Sequence, residues 1–266
     1  YLPGKHILIN EDIDGTFPAH HPDPTDPKNL EEMISVVKDN KFDVGLAFDG
    51  DGDRLGLVSG NGNIIWGDQI VALLSQEVLK DNPNSPIIAD VKASQTLFNE
   101  IKRLGGVPIM WKTGHSFIKS KMKEISSPLA GEMSGHIFFS DRYYGYDDGI
   151  YAALRVLELI SDNYTLDDFL KSLPKTFSTQ EIKINCSDEV KFTIIEELSI
   201  LLDEAGLAVN KIDGLRVQKD NGWWLLRASN TQAVLVARIE ADSEDSLKNF
   251  QEELNYYLKK FDLSLT

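Results

Sequence analysis

Two short apolar runs, Pro86-Ile87-Ile88-Ala89-Asp90-Val91 and Val107-Pro108-Ile109-Met110-Trp111, flank a helical stretch over 94–104. Gly105-Gly106 stops that helix, because glycine accepts the left-handed backbone that ends helices. This strand–helix–strand order predicts a βαβ unit with a mainly parallel sheet. The alternation continues on both sides. One helix starts near 68, with Asp68 as its cap and Ile70, Val71, Leu74 and Val78 on its apolar face; others run over about 115–123 and 147–161.

Upstream, 28–39 reads as a helix capped by Asp26, with Pro27 in its first turn and Leu30, Met33, Ile34 and Val37 apolar. Residues 5–10 read as an opening strand, 42–48 as a second, and 55–58 with 64–66 as a hairpin around Ser59-Gly60-Asn61-Gly62-Asn63. Downstream the character changes. A strand over 176–185 and a helix over 189–204 precede strands over 214–217, 223–227 and 233–241, with a hairpin turn at Asp220-Asn221-Gly222 and a closing helix over 245–261. The expected fold class is therefore α/β: mixed βαβ domains followed by an α+β C-terminal domain with an antiparallel sheet. Ser172-Leu173-Pro174-Lys175 reads as a linker, and the expected division is 1–65, 66–174 and 175–266.

The chain of 266 residues carries a formal net charge of -15. General nucleic-acid binding needs a basic surface and is disfavoured. Any phosphate site has to be made locally, from Arg, Lys and backbone N–H groups, against that field. Cys186 is the only cysteine, so no internal disulfide can form and a reducing, cytoplasmic setting is expected. No apolar run is long enough to cross a bilayer, and Tyr1-Leu2-Pro3-Gly4-Lys5 does not read as a signal peptide.

The densest chemistry lies in Asp49-Gly50-Asp51-Gly52-Asp53-Arg54, at the end of the predicted strand 42–48. Glycines allow a tight turn, and three alternating carboxylates repel one another unless a hard cation sits among them. A Mg²⁺-type site and a solvated acidic turn both fit this pattern. A calcium EF-hand does not: counted from Asp49, its sixth position is Arg54 rather than Gly and its twelfth is Gly60 rather than Glu. No Walker phosphate loop occurs. His20-His21 in the Pro-rich segment point different ways and lack a third ligand nearby, which favours loop ordering over metal binding.

Four other places carry polar groups suited to a ligand. Glu132, Ser134 and His136 alternate, so in an extended segment they share one face, suited to vicinal sugar hydroxyls or to a simple polar turn. Arg227-Ala228-Ser229-Asn230-Thr231 concentrates an Arg fork, two hydroxyls and an amide, which suits phosphate or an ordinary strand connection. Thr113-Gly114-His115-Ser116 opens a helix, where N–H groups attract anions or are capped by Thr113 or Ser116. Lys92 follows a strand and is either a cleft cation or a solvated lysine. Strand ends in an open α/β sheet are where ligands gather, which supports one shared cleft.

Taken together and in this order, these motifs resemble the α-D-phosphohexomutase superfamily, in its phosphomannomutase/phosphoglucomutase branch. The resemblance runs the whole length and includes His20-His21-Pro22-Asp23-Pro24 and Tyr144-Gly145-Tyr146-Asp147-Asp148-Gly149. It implies Mg²⁺ held by Asp49, Asp51 and Asp53. It implies substrate contacts from Thr113, Gly114, Glu132, Ser134, His136, Arg227, Ser229, Asn230 and Thr231, with Arg54, Lys92 and His115 in catalytic work. The implied substrates are hexose phosphates of mannose or glucose, interconverted through a phosphoserine and a hexose 1,6-bisphosphate. That serine lies in the family's first domain, in a Thr-Ala-Ser-His-Asn-Pro loop, and no Ser-His-Asn-Pro occurs here. The expectation is therefore a chain holding the end of the family's second domain and all of its third and fourth, monomeric and inactive by itself. The alternative is a non-catalytic sugar-phosphate-binding module.

Overall fold

The computed structural model describes residues 4–160 and 165–265. Tyr1, Leu2, Pro3 and the expected helix end at Ser161 lie outside the described residues.

Asp26 accepts the Lys28 N–H and starts a 3₁₀ turn, Pro27–Leu30, which leads into α1, Glu31–Asn40. The regular helix thus begins three residues later than expected, because the proline opens the tighter turn. Strands β1 (Val44–Phe48), β2 (Leu55–Ser59) and β3 (Ile64–Ile65) form an antiparallel sheet in the order β1-β2-β3. The expected strand over 5–10 is not formed. Ile7 and Leu8 are exposed, and no strand pairs with this segment. A short apolar run makes a strand only where an edge is there to pair with it.

The next unit contains α2 (Gly67–Asp81), β4 (Pro86–Asp90), α3 (Gln95–Arg103), β5 (Val107–Trp111), α4 (His115–Ile125), β6 (Leu129–Gly131), β7 (Ile137–Phe139), β8 (Tyr146–Asp147), α5 (Gly149–Ile160) and α6 (Leu166–Ser172). The sheet order is β5-β4-β6-β7-β8. The pairs of β4 with β5 and β6 are parallel; those of β7 with β6 and β8 are antiparallel, so the sheet is mixed rather than mainly parallel. Asp68 does not cap α2. It lies inside the first turn, where its carboxylate accepts the Ser94 N–H at 2.9 Å, and Gln69 takes the Trp66 N–H instead.

Helix α2 is buried nearly all round, with Ile70, Val71, Leu73, Leu74 and Val78 out of contact with solvent. It sits between β2 and β6, so Leu55, Leu57 and Ile65 of the first sheet share one core with Ile87, Leu129 and Phe139 of the second. Burial of this area from both sides makes the two sheets one packing unit.

The last unit has its own core around Leu198, Leu226, Leu235 and Leu254. Strands β9 (Phe177–Ser178), β10 (Ile182–Asn185), β11 (Val209–Asn210), β12 (Leu215–Lys219), β13 (Gly222–Ala228) and β14 (Val234–Ala241) form an antiparallel sheet with helices α7 (Lys191–Glu204) and α8 (Glu244–Leu258). The single strand expected over 176–185 is broken. Ser178 faces Glu240 and Ile182 faces Ala237, so four steps on one strand oppose three on the other, which is a β-bulge.

Between this sheet and the preceding unit lies Trp223, fully buried beside Val91. The Arg216 guanidinium stacks 3.7 Å from the Trp223 ring and donates to the Val91 and Ala93 carbonyls at 2.7 and 2.8 Å. Trp223 Nε1 donates to Glu240, which also accepts the Gln95 N–H.

Candidate active site

The chain leaves β1 at Phe48 and re-enters the sheet at Leu55. Gly52 takes a φ of 78° in that turn, where a Cβ is disfavoured. The turn gathers one oxygen each from Asp49, Asp51 and Asp53 within 4.8 Å of one another. Burial and the like charges of Asp49 and Asp51 raise the Asp53 carboxyl, despite His136 nearby. Asp49 is held low against its burial by Arg54, whose Nε and backbone N–H donate to it at 2.5 and 3.0 Å. Arg54 Nη1 also reaches Asp23 at 3.2 Å. Three close oxygen donors, with Asp53 still raised by burial and by its neighbours' charge, fit a hard divalent ion, Mg²⁺ among them. His20 and His21 lie in neither ligand-like cluster found among the described residues; His20 Nδ1 bonds the His21 carbonyl.

Across from this turn, Glu132, Ser134 and His136 do meet, but not through an extended strand. Residues 132–136 form the tight connection between β6 and β7, closed by Gly135 N–H to Glu132 O and Glu132 N–H to His136 O. His136 Nδ1 lies 2.9 Å from Ser134 Oγ and 3.3 Å from Glu132 Oε2, and its Nε2 lies 3.3 Å from Asp53. Burial opposes the charged imidazole, yet Glu132, Asp53 and Asp147 raise its pKa. Glu132 is buried and accepts the Gly114 N–H at 2.5 Å; His136, that N–H and Lys92 hold its carboxyl below the usual range against burial.

Gly114, not Thr113 or Ser116, is the N-cap of α4. Thr113 Oγ1 instead donates to Asp90 at 3.2 Å, and the Thr113 N–H donates to Asp213 at 3.0 Å. His115 is exposed and lies 3.5 Å from Asp147, which also accepts Lys119 at 2.9 Å. Lys92 is buried rather than solvated: its ammonium lies 2.7 Å from Glu181 and 3.8 Å from Asp90. Burial works against its charge, but those two carboxylates raise its pKa. The β-bulge explains Glu181, since the extra residue re-aims the strand toward Lys92.

On the last sheet, Arg227 lies one residue before the end of β13, with Nε and Nη2 donating to Asp213 at 3.1 and 3.2 Å. Ser229 is buried, with its Oγ accepting the Thr231 and Gln232 N–H groups, while Asn230 and Thr231 are exposed. A continuous run of contacts therefore links the acidic turn to Arg227: Asp53, His136, Glu132, Gly114, Thr113 and Asp213.

Three family descriptions match in succession. Phosphoglucomutase/phosphomannomutase alpha/beta/alpha domain II covers residues 2–62, alpha/beta/alpha domain III covers 66–177, and the C-terminal domain covers 181–255. The chain belongs to the phosphoglucomutase/phosphomannomutase family. A phosphomannomutase/phosphoglucomutase of Pseudomonas putida is 50% identical over 242 residues, 91% of this chain and 52% of the relative. One from Pseudomonas aeruginosa is 47% identical over 255 residues, 96% of this chain and 55% of the relative. The solved structure of a phosphoglucomutase/phosphomannomutase family protein from Burkholderia thailandensis has a TM-score of 0.87 at 44% identity, covering 94% of this chain and 53% of that one. The chain thus spans about half the length of these relatives. Among the described residues, no helix is long and apolar enough to cross a membrane.

In this member of the phosphoglucomutase/phosphomannomutase family, sequence reasoning missed Asp90, Glu181 and Asp213, and named Asp147 only within the Tyr144-Gly145-Tyr146-Asp147-Asp148-Gly149 motif, without a role. Only Asp213 carried a local signal, an Asp-Gly turn directly before a strand. Asp90 is fully buried at the end of β4. Burial, with Glu132 adding to it and Lys92 opposing, raises its carboxyl from 3.8 to about 6. The folded chain then keeps a proton that the unfolded chain releases, so this contribution is complete below 3.8 and is lost as pH rises through about 6. Asp90→Asn is expected to flatten that loss: urea midpoints of variant and parent should diverge in the variant's favour between about pH 4 and pH 7. Parallel pH profiles would rule this out.

Proposed function

We propose that this chain supplies the metal, sugar and phosphate loops of a phosphohexomutase that interconverts hexose 1-phosphate and hexose 6-phosphate, of mannose or glucose. The run of contacts from Asp53 to Arg227 carries this reading, because it connects the residues proposed for the cation, the sugar hydroxyls and the phosphate. The names of the relatives support the reaction class. In this reading the chain divides at 1–65, 66–174 and 175–266, each part contributing one loop.

In the reaction a seryl phosphate passes its phosphoryl group to a sugar hydroxyl. The serine O–P bond breaks, the sugar O–P bond forms, and the hydroxyl proton leaves for a base. The bisphosphate then returns its other phosphoryl group to the serine. Asp49, Asp51 and Asp53 would hold Mg²⁺, which offsets the negative charge of the transferring group. Arg54 holds the seryl phosphate. Glu132 and Ser134 bind sugar hydroxyls, with His136 orienting both. Arg227, Ser229, Asn230 and Thr231 bind the distal phosphate, with the Thr113 and Gly114 backbone at its edge. His115 and Lys92 serve as proton or charge groups near the reacting oxygen. A monomer in the cytoplasm goes with this reading.

No Ser-His-Asn-Pro loop occurs in these 266 residues, so they are expected to bind phosphosugar without turning it over. Isothermal titration of the chain with glucose 1-phosphate should give saturable binding, and a coupled assay should give no mutase activity. A ligand at a hundred times its Kd stabilises by about 2.7 kcal/mol, which a thermal melt detects. A melting temperature indifferent to glucose 1-phosphate and to mannose 1-phosphate would sink the proposal. Turnover by the purified chain would remove the claim that the nucleophile lies elsewhere.

A further inference from the structure

We infer that Asp213 is a positioning residue for phosphate recognition: it aims the Arg227 guanidinium and fixes its distance from the sugar loop. The inference rests on the phosphosugar reading above and deepens it.

The local sequence explains why Asp213 arrives there. It lies in the turn between β11 and β12, where Asn210 Oδ1 accepts the Ile212 N–H at 3.0 Å. Gly214 follows with a φ of 82°, and a Cβ there would lie 2.5 Å from both Arg227 Cβ and the Leu226 carbonyl. Glycine alone lets the turn press this closely against β13. Leu215 then pairs with Leu226, which brings Gly214 against Arg227 and puts Asp213 one residue beyond, within reach of the guanidinium.

The contact is a two-point fork. Asp213 Oδ2 accepts Arg227 Nε–H at 3.1 Å and Oδ1 accepts Nη2–H at 3.2 Å, with both side chains largely buried. A guanidinium has five N–H groups. Asp213 takes one at Nε and one at Nη2. Of the three that remain, one on Nη1 and one on Nη2 form the terminal edge, which matches two oxygens of a phosphate. Among the described residues no other group hydrogen-bonds the Arg227 guanidinium, although its charge also reaches the Glu181 carboxylate. A carboxylate beside an anion site in a chain of net charge -15 would repel the ligand if it were free. Here its charge is matched by the arginine it orients.

The same carboxylate has a second task. Oδ2 also accepts the Thr113 N–H at 3.0 Å, from 100 residues earlier, while the adjacent Gly114 N–H donates to Glu132 at 2.5 Å. Two consecutive peptide N–H groups are therefore gripped by two carboxylates, one tied to the phosphate fork and one to the hydroxyl loop. This fixes the spacing between phosphate and hydroxyl recognition to a single peptide unit.

Glucose 1-phosphate binding, followed by isothermal titration of the whole chain, tests this with Asp213→Asn, Asp213→Glu, Arg227→Ala and the double variant Asp213→Asn/Arg227→Ala. Loss of an outer-shell partner typically weakens a site by about 10- to 100-fold, and Asp213→Asn should do the same. Asp213→Glu, which keeps both oxygens and the charge, should recover part of the loss. In the Arg227→Ala background Asp213→Asn should add nothing, since it acts through that arginine. Mg²⁺ binding should be unchanged in all variants, which reports folding of the distant turn. Additive losses would make Asp213 a general structural residue and overturn the inference. Equal or tighter binding by Asp213→Asn would overturn it too, making the carboxylate a competitor that phosphate displaces. An unsubstituted chain with no affinity for glucose 1-phosphate would instead remove the phosphosugar reading and this inference with it.

Discussion

Replacing Asp49, Asp51 and Asp53 together by Asn is expected to abolish saturable Mg²⁺ binding. Asparagine keeps the size and one carbonyl oxygen at each position but removes the charge that a hard cation requires. Affinity should fall by roughly two orders of magnitude or more, because charge count is the main lever on oxygen-ligand sites. The fold should survive. The turn is shaped by Gly52 and by the Arg54 backbone N–H, and removing three like charges also removes the repulsion that raises Asp53. In metal-free buffer the triple variant should therefore melt close to the parent, while added Mg²⁺ raises only the parent's melting temperature. Retained Mg²⁺ affinity in the triple variant would put the cation site elsewhere.

Lys92→Met should produce the largest loss of stability. The lysine is buried, and its ammonium faces Glu181 at 2.7 Å and Asp90 at 3.8 Å, with Glu132 close enough to contribute. Methionine fills much the same space and removes the ammonium that faces Glu181 and Asp90 directly. Breaking a buried pair by deleting one partner costs about 3–5 kcal/mol near neutral pH, since the remaining charges stay desolvated. The sign with pH follows. Glu181 is held low by Lys92 against its burial, so once the lysine is gone it gains a proton more readily, as does Asp90. The destabilisation should therefore shrink in buffer of about pH 5. Urea unfolding of both proteins at the two pH values measures this directly. A loss that does not change with pH would mean that packing, not charge, accounts for Lys92.

The two residue sets differ in how legible they were. Asp49, Asp51 and Asp53 fall within five consecutive positions, so their clustering is visible before any fold is known. The partners of Lys92 are not. Glu181 reaches it only because one extra residue in a broken strand turns the side chain inward, and apolar alternation carries no trace of such a bulge. Asp213 meets Thr113 across 100 residues. The helices and most strands followed from periodicity, but the stretch over 5–10 shows its limit: Ile7 and Leu8 have the pattern without a partner edge. The Glu132–His136 connection was recognised by its residues for the wrong geometric reason, since a closed turn rather than an extended face brings them together.

The junction of the first two sheets has a consequence for moving the loop over 132–136 between relatives. The Leu55 N–H donates to the Gly135 carbonyl, and the Gly149 N–H donates to the Gly52 carbonyl. A Cβ on Gly67 would lie 2.5 Å from the Glu132 carbonyl and 2.8 Å from that of Met133. The loop over 132–136 is thus moulded by backbone at Leu55 and at Gly67, and the acidic turn beside it is held by the start of α5. Transplanting those five residues alone into another scaffold carries the side chains without their mould; the minimal graft also takes the acidic turn, the start of α2 and the start of α5.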